Sequence, residues 1–132
     1  MKTTSRISQH AHWFLRIAIA SSFLFHGITK FPDLNGTAEM MGLQGFILLL
    51  VALAETVGAL LILLGGFYKN WMTKLGALMN LPVMLGAIFM FHWGRWSFTP
   101  SETHPMGGIE FPVIMTLILL YLLFKENISN KN

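Results

Sequence analysis

One acid in the middle of a span-length apolar run limits what this chain can fold into. The run containing LAETVGALLILLGG, residues 53–66, is long enough to cross a bilayer, which takes roughly 20 residues at 1.5 Å rise. Glu55 lies near its middle. A carboxylate at that depth costs several kcal/mol unless it is paired or protonated. On a helix, Ala52, Gly58 and Ala59 share a face with Glu55, and small residues there admit a neighbouring helix. Glu55 is therefore expected to face the inside of a helix bundle, and another span must supply its partner.

The composition agrees with a membrane setting. The chain has 132 residues, 54% hydrophobic and 11% charged, with a mean hydropathy of +0.59. A soluble domain carries about 25% charged residues. One domain over residues 1–132, built from a few spans, is expected. There is no cysteine, so disulfides and cysteine-ligated metals are excluded, and no metal site is read. The net charge is +3, with the positives scattered, so nucleic acid is not a partner.

Four spans are expected, at roughly 12–31, 43–68, 71–93 and 108–124. The first holds Arg16, Ser21, Ser22, His26 and Lys30. Ala18, Ile19 and Ala20 resemble a signal-peptide cleavage site, but Arg16 interrupts the apolar segment that a signal requires, so a membrane span is preferred. Lys30 is expected to snorkel to the interface. Pro32 should stop the first helix, and residues 33–42 should form a connection with at most a short interfacial turn. In the third span, Thr73, Gly76, Asn80 and Ala87 form a small and polar stripe, and Pro82 predicts a kink. Trp93, Trp96 and Phe98 fit an aromatic belt. In the fourth span, Pro112 and Glu110 suit a first helical turn.

Basic residues near the span ends set the orientation. Lys2, Arg6, Lys69, Lys74, Lys125 and Lys131 fall on one side, and Lys30 and Arg95 on the other. This bias predicts an all-α integral membrane four-helix bundle with both termini cytoplasmic. In that topology Glu55 lies near the midplane, within reach of either Arg16 or His26, and a structural Arg16–Glu55 ion pair is expected. His26, His92 and Glu110 come to the outer half, with Lys30 at the rim and Trp96 and Phe98 as a cover. His26, His92 and Glu110 are the candidate proton-handling residues, and His26, Lys30 and Trp96 the candidate ligand contacts. Each has a structural reading beside it: an interfacial histidine, a helix N-terminal acid, a register-fixing pair. His10, His12 and His104 are read as solvated.

At these residues the sequence resembles the DoxX family of small bacterial four-helix membrane proteins. The matching pieces are FLRIAIASSFLFHGITKF, LAETVGALLILLGG, MLGAIFMFHWG and GGIEFP, in family order across residues 14–124. The resemblance points to Arg16, His26, Gly27, Lys30, Glu55, Gly58, His92 and Glu110. It implies residence in the bacterial inner membrane and a link to quinone chemistry, because the family takes its name from a subunit of a terminal quinol oxidase. It supports fold and location more than reaction.

The expected function is that of an accessory or quinone-linked component of a membrane redox system, with an outward-facing polar pocket. The expected ligand is a quinone. A haem held by His26 and His92 is disfavoured, because nothing in their spacing shows one. A larger redox complex or a second copy of the chain is the expected partner besides lipid. Two other classes stay open: a structural or assembly subunit without ligand, and a small-molecule permeation protein. Against the last, no inverted repeat is visible.

Overall fold

The computed structural model describes residues 2–125, and every regular element in it is helical. The chain begins with α1 (Lys2–His10), which leads through Ala11 into α2 (His12–Ile28). A 3-10 turn (Phe31–Asp33) and α3 (Leu34–Met41) connect to α4 (Gly45–Phe67). Helix α5 (Asn70–Ala87) continues as a π-helical turn (Ile88–His92), and α6 (Glu110–Phe124) follows a long loop. Three helical stretches are long and apolar enough to cross a membrane, and α6 is a shorter apolar helix. The protein is a multi-pass membrane protein.

Local chemistry accounts for the element ends. Asp33 caps α3, its Oδ1 accepting from the Gly36 N–H at 2.9 Å, which satisfies a donor that the first helical turn leaves free. Gly42 ends α3 at φ 66, a left-handed conformation that glycine adopts at little cost. Pro82 removes one N–H from α5, yet the helix runs through it. The departure from α geometry comes instead at the π turn of residues 88–92, a feature that often marks functional sites.

The helices follow one another around the bundle. Helix α2 packs on α4, α4 on α5, and α5 on α6, while α2 and α6 share far less contact. The tightest approach is between α4 and α5. A Cβ on Gly76 would collide with the Gly58 carbonyl oxygen, and one on Gly58 with the Asn80 side chain. Gly27 lies against Thr56 and Ala52, and Gly66 against Trp13 and Arg16. These four glycines set the helix separations as small residues do in membrane bundles. Gly86 is different, because a Cβ there meets nothing within 4 Å. Gly76→Ala is therefore expected to destabilise the protein by about 1–3 kcal/mol, as overpacking against backbone does. Gly86→Ala should be near neutral. Steric-trapping measurements of unfolding in lipid would check the contrast, and equal costs at both sites would contradict it.

Polar and apolar residues are arranged for a lipid solvent. Ile19, Phe23, Ile62, Leu119 and Leu122 form the central core. Arg16, Glu55, Thr73 and Asn80 are also buried. Phe14, Leu50, Leu78, Phe89 and Leu117 are exposed, where acyl chains would cover them.

Candidate ligand cavity

The antiparallel register of α2 and α4 builds the site. Because Gly27 faces Thr56, the C-terminal end of α2 lies at the level of Glu55, not at the far rim of α4. Lys30, just past that end, turns its chain back into the bundle. Its Nζ donates to Glu55 Oε2 at 2.6 Å and to the His26 carbonyl at 2.8 Å. The pair is the only salt bridge among the described residues, with side chains 12% and 5% exposed. Lys30 thus supplies the partner that Glu55 needs, and it does not snorkel to the interface.

This corrects the expected Arg16–Glu55 pair. Arg16 faces Gly66, eleven residues further along α4 than Glu55, roughly 16 Å away at 1.5 Å per residue. There its Nη1 donates to the Ile62 carbonyl and to Thr73 Oγ1, both at 2.6 Å, and its Nε donates to His12 Nδ1 at 2.9 Å. The guanidinium also lies over the Trp13 ring, 5.9 Å from its centroid. Arg16 therefore ties α2 to α4 and α5. His12, read as solvated, is half-buried and part of this network.

Beside the Lys30–Glu55 pair lies a cavity of about 390 Å³, within the size range of small-molecule sites. Its walls come from α2, α3, α4, α5, the π turn and α6. Five of the nine methionines line it: Met41, Met84, Met90, Met106 and Met115. Such walls adapt to the shape of a ligand. The polar contributions are few: Ser22, His26, Lys30, Glu55 and His92. The π turn brings Met90, Phe91 and His92 to the wall together. Pro82 and Gly86 also line the cavity.

Of the expected pocket residues, His26, Lys30 and His92 share this cavity, whereas Glu110 and Trp96 are not part of its wall. The loop explains why. Residues 95–97 fold back on 108–110 through Gly108 N–H to the Ser97 carbonyl, Ile109 N–H to the Arg95 carbonyl and Glu110 N–H to the Trp96 carbonyl. Glu110 Oε2 accepts from the Phe98 N–H at 3.2 Å, so it acts as a loop staple. Trp96 and Phe98 are exposed on the outside of this fold-back, and Met106 takes the covering position assigned to them. The His92 ring bonds the Gly107 carbonyl through Nδ1 at 2.8 Å. A carbonyl only accepts, so Nδ1 carries the proton in this bond and Nε2 is the ring nitrogen left without a partner among the described residues. The His26 side chain has no hydrogen-bond partner among the described residues, and its ring meets Phe25 edge-on at 5.6 Å.

Comparison with known families agrees with this architecture. The DoxX family model matches residues 11–93, which is more than half of the chain. The chain belongs to the DoxX family. The match covers α2, α3, α4, α5 and the π turn, and with them His26, Lys30, Glu55 and His92 of the cavity. It ends before the loop and α6, so the GGIEFP segment of residues 107–112 lies outside it. None of the curated proteins and none of the solved structures compared with the chain matches it significantly.

Proposed function

We propose that this DoxX-family protein is a quinone-linked component of the bacterial inner membrane and that its cavity holds a quinone head group. One observation carries the reading: a Met-lined apolar cavity whose charged wall is the Lys30–Glu55 pair. Two of the three Lys30 N–H groups are used, by Glu55 and by the His26 carbonyl. The third suits a carbonyl acceptor, the group that a quinone ring presents. The apolar walls suit the ring and the start of its tail. His26, whose ring has no other partner, and Glu55 are the groups that would exchange protons with a bound head group. A quinone bound there would supply the two-electron chemistry. Both termini lie in the cytoplasm in this reading, as the basic bias requires.

Gly86 gives a test that leaves the helix packing alone. Gly86→Leu would grow into open space at the cavity wall, and it should lower quinone retention by about tenfold or more, the equivalent of about 1.4 kcal/mol. Gly86→Ala should retain most of it. Organic extraction of gently purified protein followed by chromatography gives the measurement. A wild-type protein that retains no quinone, or Gly86→Leu protein that retains all of it, would reject the reading in favour of a structural subunit. Orientation is checked separately: a single cysteine at Lys69 should react with membrane-impermeant thiol reagents only in inside-out vesicles.

A further inference from the structure

A second recess, about 870 Å³, lies at the opposite end of the bundle from the loop, where α2 begins and α4 and α6 end. His10, His12, Tyr121 and Lys125 line it, with Phe67 and Leu15 as apolar walls. Arg16 lies just behind that wall, in contact with His12. This guanidinium is 1% exposed and has no carboxylate partner among the described residues. Asp33, Glu39, Glu102 and Glu110 all belong to the other end, and Glu55 is spent on Lys30. Positive charge therefore accumulates beside a groove in which no described acid offsets it. Burial, then the nearby Arg16 charge, holds the Lys125 amine below the usual lysine range. The groove also opens where α2 and α6 pack loosely, so an acyl chain has a path down that seam.

We infer that this groove binds the phosphate head group of an anionic lipid, with Lys125 and His12 as its polar contacts and Phe67 and Leu15 against the chains. The position selects a lipid over a free anion, because three helices that bound the groove end there and its walls are half apolar. The side chain of Lys125 makes no hydrogen bond among the described residues. Only its carbonyl is used, by Asn70, so Lys125→Gln leaves the fold's own contacts in place.

The test uses the full chain reconstituted in nanodiscs of mixed phosphatidylglycerol and phosphatidylcholine, with retained lipid counted by native mass spectrometry. The wild-type protein should retain phosphatidylglycerol preferentially. Lys125→Gln should reduce that retention roughly fivefold, the loss of about one direct hydrogen bond to the head group. Lys69→Gln, at the same end but outside the groove, should leave it unchanged. Equal losses for both variants would mean diffuse surface attraction and overturn the inference. So would no preference for phosphatidylglycerol, or displacement of the lipid by millimolar inorganic phosphate, which would mark a free-anion site.

Discussion

Lys30→Met is expected to destabilise the protein by about 3–5 kcal/mol, the usual cost of leaving one member of a buried ion pair uncompensated. The magnitude follows from the burial of the Glu55 carboxylate, which is 5% exposed with Lys30 as its partner. Lys30 is the only side chain that bonds the Glu55 carboxylate among the described residues, and the cavity wall is mostly apolar, with Met84 and Met115 in it. Glu55→Leu alone should cost less, since the long Lys30 chain can turn its amine toward the head groups. Joining the two as Lys30→Met, Glu55→Leu should recover most of the loss, because replacing a buried pair by apolar residues is often neutral or better. The coupling from a double-mutant cycle, measured by steric trapping in lipid, should therefore be large. Additive single effects would show that the two side chains do not act together. Recovered stability without recovered quinone retention would separate what the pair does for folding from what it does for a ligand.

The sequence made much of this legible for a physical reason: in lipid, burying a polar side chain is costly enough that each one advertises a contact. The faces around Glu55 and around Thr73, Gly76 and Asn80 could be read this way, and Gly58 and Gly76 do meet across α4 and α5. The partner of Glu55 was less legible because register depends on the connection. With Leu43, the expected start of the second span, level with Phe31, Glu55 would have come near the level of Ile19 and close to Arg16. The connection instead contains α3, which packs along the first part of α4 and shifts the register by about two helical turns. Asp33 and Gly42, a capping acid and a left-handed glycine at the two ends of α3, were the local signals for it. The π turn left no comparable signal: Pro82 pointed to an irregular third span, but not to residues 88–92. The misplacement of Glu110 and Trp96 has another cause. Their positions depend on backbone pairing within the loop, including Gly107 and Gly108, where a Cβ would collide with the carbonyls of Phe98 and Arg95.

Arg16 carries the second large expected effect, and its signature differs from that of Lys30. Arg16→Met should cost about 2–4 kcal/mol, from the loss of charge-assisted hydrogen bonds worth about 1.5–3 kcal/mol each, offset as the acceptors find new partners. Thr73 can turn its hydroxyl toward its own helix, and Ile62 retains the α-helical hydrogen-bonding geometry of α4. Arg16→Lys should recover less than half of the loss. An ammonium cannot donate from both an Nε and an Nη position in the fixed plane that reaches His12, Ile62 and Thr73 together. It also lacks the flat surface that lies over Trp13. The decisive comparison is between two cycles. Arg16 with Thr73 should show coupling of about 1 kcal/mol, since Thr73→Val removes an acceptor that Arg16 uses. Arg16 with Glu55 should be additive, because roughly 16 Å of α4 separates Glu55 from the Gly66 level where Arg16 docks. Strong coupling in the second cycle and none in the first would restore the Arg16–Glu55 pair and reject the register in which Lys30 guards the cavity.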